Sequence, residues 1–127
     1  MKHNDLKILC IEDDEDTCDL VTFIFAQEGY KVESCSQVEC LKLIREEKFL
    51  AVILDNYFID KSGVEICREL RNFDKTTPVI FFSGEARQSE IEKAISAGAN
   101  DYLIKPNDFE KLLPTTIKLI EEYQVRI

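Results

Sequence analysis

Short apolar runs alternate with amphipathic stretches five times along the chain, and no low-complexity tract or linker separates them. Runs of aliphatic and β-branched residues bounded by polar turns read as buried strands. They place strands at Lys7–Ile11, Lys31–Cys35, Ala51–Leu54, Pro78–Ser83 and, more weakly, Asp101–Ile104. Between them Leu20, Phe23, Ile24 and Gln27 fall at helical spacing, as do Val38, Leu41 and Ile44, then Val64, Cys67 and Leu70, then Ile91, Ala94 and Ile95. Leu113, Ile117 and Ile120 mark a last helix, and each helix is expected to bury its marked face on the sheet. Gly29 and Gly98 read as left-handed caps that end the first and fourth helices, and Gly63 as the opening of the third. Pro114 lies seven residues after the expected N-cap Asn107. Either it kinks the last helix, or the regular helix begins at Leu113–Pro114.

This alternation predicts an α/β fold, a parallel sheet covered by helices on both faces. Right-handed crossovers then put every β/α loop at the carboxyl edge of the sheet, where open α/β folds hold their sites. At 127 residues the chain makes one domain. Sixteen Lys and Arg against 25 Asp and Glu give a net charge of −9, which disfavours binding to nucleic acid or anionic membranes. The start Met1-Lys2-His3-Asn4-Asp5 has no signal-like apolar segment and no run is long enough to span a bilayer, so a cytoplasmic protein is expected. The five cysteines, at 10, 18, 35, 40 and 67, form no Cys-x-x-Cys pair and His3 is the sole histidine. That pattern argues against zinc and for reduced thiols acting as small apolar side chains.

Candidate chemistry collects at the strand ends. The first strand runs into Glu12-Asp13-Asp14-Glu15-Asp16, which reads either as acids favouring a helix N-terminus or as part of a cation site. Asp55 follows five apolar residues; alone it is a turn residue, but the third strand of such a sheet lies beside the first. Three carboxylates are then expected to converge. Like charges at ~4 Å repel by roughly 4 kcal/mol at an effective dielectric of ~20, so the cluster calls for a cation. Hard oxygen donors with few protein contacts suit Mg²⁺. Ser83-Gly84 ends the fourth strand and Lys105-Pro106 the fifth. Taken singly, the serine is a helix cap and the lysine a solvated tip; taken together with Asp55, they fit phosphoryl transfer to a carboxylate.

At this point the chain resembles a two-component response-regulator receiver domain over essentially its whole length, from Leu6 to about Glu122. The matching motifs are Ile8-Leu9-Cys10-Ile11-Glu12-Asp13-Asp14, Val52-Ile53-Leu54-Asp55, Gly63 eight residues later, Pro78 through Gly84, and Ala97 through Pro106. The resemblance implies a flavodoxin-like (βα)5 receiver fold, a doubly wound five-stranded parallel sheet of order 2-1-3-4-5. It implies phosphorylation of Asp55 by a histidine kinase or phosphotransfer protein. Mg²⁺, with Mn²⁺ as a substitute, would be held by Glu12, Asp13, Asp55 and the Tyr57 backbone carbonyl. Ser83 and Lys105 would bind the phosphoryl oxygens, and Tyr102 occupies the position of an aromatic switch residue. The output surface would be the fourth helix, fifth strand and fifth helix. Tyr57 and Glu85, two residues after Asp55 and Ser83, are expected to crowd or orient attacking water. The family often has Met-Pro where Phe58-Ile59 stand and an aromatic where Asn107 stands, so loop shape and output face are expected to differ.

Three other readings compete. An aspartyl-nucleophile phosphohydrolase would want an acid where Tyr57 stands, and a flavin-binding domain would want a Ser/Thr/Gly-rich loop where the acidic run stands. A degenerate receiver would act as a phosphorylation-independent protein-binding module. The chain ends at Gln124-Val125-Arg126-Ile127 without an effector domain. The expectation is therefore a single-domain regulator spanning 1–127, monomeric or weakly dimeric, that signals through protein contacts to a downstream target.

Overall fold

Strand and helix alternate without exception in the computed structural model, which describes residues 6–58 and 60–126. The order is β1 (Lys7–Ile11), α1 (Glu15–Ala26), β2 (Lys31–Cys35), α2 (Gln37–Glu46), β3 (Ala51–Leu54), α3 (Gly63–Phe73), β4 (Val79–Ser83), α4 (Gln88–Ser96), β5 (Asp101–Ile104) and α5 (Phe109–Arg126). All strand pairs are parallel and the sheet order is β2-β1-β3-β4-β5, as the resemblance implies. Pro78 falls just outside β4, yet its carbonyl accepts from Val52 N at 2.8 Å and so extends the ladder that the missing proline N–H cannot.

The central strands are buried on both faces, and alternate side chains feed two cores. Leu9, Ile11, Val52, Leu54, Val79 and Phe81 meet Cys40 and Ile44 of α2, Val64, Cys67 and Leu70 of α3, and Ala94 of α4. Ile8, Cys10, Ala51, Ile53, Ile80 and Phe82 meet Val21 and Phe25 of α1 and Leu112 and Ile120 of α5. All five cysteines are free, and Cys10, Cys40 and Cys67 are buried.

Several helix faces differ from the expectation. On α1 the buried positions are Val21 and Phe25, with Cys18 and Ile24 packed beside them, while Leu20 and Phe23 are 49% and 64% exposed. The helix is apolar around much of its circumference, so spacing alone selects two stripes, and counting Cys18 as an apolar side chain selects the buried one. Val38 and Ile95 are likewise exposed, and Cys40 and Ala94 take the inward places. On α5 the inward row is Leu112, Thr116 and Ile120; the buried Thr116 hydroxyl donates to Leu112 O at 2.7 Å, which satisfies it without a distant partner.

Helix ends follow local chemistry. Asp14 caps α1, its carboxylate accepting from Thr17 N at 3.1 Å and Thr17 Oγ1 at 2.6 Å, so part of the acidic run does serve the helix start. Ser62 caps α3 by accepting from Glu65 N. Gly29 and Gly98 have φ of 86° and 114°, the left-handed values expected of caps. The last helix does not begin at Leu113–Pro114: it starts at Phe109, two residues after Asn107, and runs through Pro114. Pro114 and Glu110 are both exposed, so the Glu110 carbonyl that lacks a proline N–H partner faces water.

Gly63 is where backbone meets backbone. A Cβ there would lie 2.2 Å from Asp55 O and 2.9 Å from Asn56 Cα, whereas one at Gly84 would meet nothing within 4 Å. Gly63→Ala is therefore expected to lower unfolding free energy by about 1–3 kcal/mol by forcing α3 away from β3, and Gly84→Ala to change it by under about 0.5 kcal/mol. Urea denaturation of both variants checks this.

Candidate functional site

The parallel ladders continue one residue beyond the strands. Asp55 N donates to Ile11 O at 3.1 Å and Lys105 N donates to Ser83 O at 2.9 Å. The exits of β1 and β3, and of β4 and β5, are thereby held in step at one edge. Glu12, Asp55 and Lys105 meet there: the Lys105 ammonium is ion-paired with Glu12 Oε1 and lies 3.8 Å from Asp55 Oδ2. It also lies 5.6 Å from the centre of the Phe82 ring. Ser83 is fully buried at the end of β4, its Oγ accepting from Glu85 N at 3.2 Å.

Asp13 is the exception. Its amide donates to Glu12 Oε2 at 3.1 Å, but the residue is exposed. Among the described residues no three His, Cys, Asp or Glu side chains are gathered closely enough to enclose a metal by themselves. The expected meeting of three carboxylates is thus a meeting of two, Glu12 and Asp55, around one ammonium. Mutual repulsion leaves a third carboxylate better solvated in the turn into α1.

Burial first, and then the neighbouring Asp55 carboxylate, push the Glu12 carboxyl up to about 7 against the opposing pull of Lys105. Two carboxylates sharing one ammonium leave surplus negative charge in a largely desolvated place. The donors are hard oxygens and too few to strip a cation of all its water. This set fits Mg²⁺, which keeps several waters and takes one or two carboxylates.

Two loops close over this edge. In the β3–α3 loop Asn56 is buried and tied three ways. Its N donates to Asp55 Oδ1 at 2.8 Å, its O accepts from Gly63 N at 3.1 Å, and its Oδ1 accepts from Val64 N at 3.2 Å. Phe58 packs against the α2–α4 core, while Ile59 lies outside the described residues. The Tyr57 hydroxyl donates to Glu85 Oε2 at 2.7 Å, and Arg87 Nε is ion-paired with Glu85 Oε1. Tyr102 is 8% exposed, stacks on Phe81 with centroids 5.4 Å apart, and donates its hydroxyl to Glu85 O at 2.8 Å. Burial raises the Tyr102 phenol above its usual value, with Ser83 and Asn56 pulling the other way.

Each residue singled out in the sequence except Asp13 is thus packed into this edge or bonded to a residue that is. Two participants were not singled out. Asn56 carries a signal in retrospect, an Asx residue between a strand and a helix-opening glycine. Arg87 carries none, because an exposed arginine at a helix start resembles any other.

A model of the response regulator receiver domain matches residues 8–116. Transcriptional regulatory protein ZraR of Klebsiella oxytoca is 30% identical over 113 residues, covering 88% of this chain and 26% of that protein. A CheY-like receiver domain protein from Methanospirillum hungatei superposes with a TM-score of 0.88 at 26% identity, covering 95% of this chain and 98% of its own. The BeF3 activated DrrB receiver domain gives 0.80 at 31% identity, covering 91% and 97%. The curated relatives are longer: this chain spans 26% of ZraR and 48% of the response regulator MprA of Mycobacterium leprae. No helix among the described residues is long and apolar enough to cross a membrane.

The charge arrangement makes opposite demands on Glu12. In buffer with chelator, Lys105→Met is expected to raise the Glu12 titration midpoint above that of the parent and Asp55→Asn to lower it. Carboxyl ¹³C NMR across pH 4–9 reads both directions.

Proposed function

This chain belongs to the response regulator receiver family, and on that premise we propose that Asp55 is its phosphoacceptor, charged by a histidine kinase or a phosphotransfer protein in the cytoplasm. Receiver domains serve two-component signalling, and a phosphorylation switch is typical of the family. The observation that carries the assignment is the placement of Asp55 at the exit of β3, held by Ile11 and Asn56 and set beside Glu12 and Lys105.

In the transfer the P–N bond of a phosphohistidine breaks, its electron pair returning to the imidazole, as an Asp55 carboxylate oxygen bonds to phosphorus. Glu12, Asp13, Asp55 and the Tyr57 carbonyl would hold Mg²⁺, or Mn²⁺ in its place; when bound, the cation neutralises phosphoryl and carboxylate charge. Lys105 then exchanges its contact with Glu12 for a phosphoryl oxygen, and the Ser83 hydroxyl donates to another. The acyl phosphate is reversed by water, which returns Asp55 as carboxylate and releases inorganic phosphate. Tyr57 and Glu85 would crowd or orient that water, and comparable phosphoryl lifetimes in the parent and Tyr57→Ala would remove steric crowding by Tyr57.

No separate substrate is required. The acid that a phosphohydrolase would need two residues after Asp55 is Tyr57 here, and its hydroxyl is engaged by Glu85. Output is through the face of α4, β5 and α5 to a protein partner.

Incubation with acetyl phosphate and Mg²⁺ is expected to add one phosphoryl group per chain, read by intact mass. The addition is expected to be lost with chelator and in Asp55→Asn. Absence of labelling in the parent protein would overturn the proposal and leave the phosphorylation-independent binding module.

A further inference from the structure

Glu85 is bonded through three different groups to four different parts of the molecule. Its amide donates to Ser83 Oγ at 3.2 Å, at the end of β4. Its carbonyl accepts the Tyr102 hydroxyl at 2.8 Å, from β5. Its carboxylate is divided between the Tyr57 hydroxyl, from the β3–α3 loop, and the Arg87 guanidinium, at the N-cap of α4. The Glu85 side chain is 11% exposed although that of Arg87 is 71% exposed, so the arginine reaches inward from the surface to cover it.

Such an arrangement constrains more than the carboxylate. A carboxylate fixed at both oxygens allows its own backbone little rotation, and the carbonyl on that backbone is the acceptor of the Tyr102 hydroxyl. Tyr102 is also held by stacking on Phe81, with planes 8° apart, and its phenol is influenced by Ser83 and Asn56. Stacking attracts the ring without fixing which way the hydroxyl points. The bond to Glu85 O at 2.8 Å directs the hydroxyl of the inward rotamer.

We infer that Tyr57 and Arg87 form a latch on Glu85, and that this latch sets how far Tyr102 resides inward whatever the state of Asp55. Tyr57 and Arg87 are thus positioning residues for the output aromatic, acting through Glu85. The inference rests on the reading of Tyr102 as the switch residue and extends it: the switch has a second input, the loop-to-loop bond between positions 57 and 85. A partner that draws Tyr57, which is 58% exposed, away from Glu85 would loosen Tyr102 without any phosphoryl group. A partner that covers Tyr57 and Arg87 together would hold Tyr102 in.

The test uses the full chain, untreated with phosphodonor, with ¹³C-labelled tyrosine. Inward Tyr102 lies against the Phe81 face, so its ring protons carry a ring-current displacement that an outward rotamer lacks. Tyr57→Phe removes only the donated hydroxyl, and Arg87→Ala removes the guanidinium together with its alkyl stem. The double variant is expected to move the inward:outward ratio of Tyr102 by roughly three- to tenfold toward outward, the effect of losing charge-assisted bonds that are partly open to solvent. Phe81 and Ile80 amide shifts report that the sheet is intact.

Tyr102→Phe is the reference for assignment. Unmoved Tyr102 signals in the double variant, with the sheet signals unchanged, would overturn the latch. Asp55 labelling by acetyl phosphate is measured separately on the parent protein. Its failure removes the phosphoryl switch and leaves the Tyr102 result standing, so the two failures are distinguishable.

Discussion

The hydrogen bond from Asp55 N to Ile11 O is the constraint on which the site depends. It is the last rung between β1 and β3, a register that pairs Ile11 with Leu54, and it makes the residues just past both strands emerge together. A slip of one residue would turn Asp55 toward a helix layer and put Leu54 at the edge, which the buried alternation of both strands forbids. The site is therefore fixed by the same apolar burial that makes the sheet. Gly63 follows from the same constraint: α3 can return to β3 closely enough to bond Asn56 only where no Cβ intervenes.

That geometry creates an electrostatic problem and part of its solution. Two carboxylates at adjacent strand exits are costly to keep ionised in a desolvated place, which is why Glu12 holds its proton up to about 7. Lys105 offsets one charge because β5 ends in step with β4, through the bond from Lys105 N to Ser83 O. One ammonium between two carboxylates is an unfinished balance. A site in this condition favours whatever brings positive charge to the carboxylates, and it frees the lysine when an anion arrives. On the proposed reading, the same imbalance that weakens the resting arrangement would favour a cation and a phosphoryl group at this edge.

The fold was legible in the sequence because burial on both faces of a parallel sheet turns each central strand into an unbroken apolar run. Lys7–Ile11, Lys31–Cys35, Ala51–Leu54 and Asp101–Ile104 have the expected bounds. Helix faces were less legible where a helix is apolar all round. Phe23 and Val38 look like core residues by type and are exposed, while Cys18 and Cys40 do the packing. At the site, residues that terminate strands could be read by position, as with Asp55, Ser83 and Lys105. Asp13, expected in the same cluster, is exposed, because a side chain in a turn answers to local electrostatics rather than to strand periodicity. Arg87 was invisible for a different reason: its partner is fixed by where two loops meet, which no local pattern encodes.

Loops that close over a strand edge ordinarily move independently, being tied mostly to themselves and to solvent. Here the two loops share Glu85, and that residue also accepts the hydroxyl of Tyr102 on β5. A change in either loop must then alter the acceptor of the Tyr102 hydroxyl, because carboxylate, amide and carbonyl belong to one residue with few free torsions. Ser83 is bonded to the same residue, so a hydroxyl drawn toward Asp55 would pull on the Glu85 amide while Tyr57 and Arg87 hold its carboxylate. The pull is transmitted through covalent geometry rather than through a chain of weak contacts. On the proposed reading, a rearrangement confined to that edge would in this way be converted into a choice of rotamer on another strand.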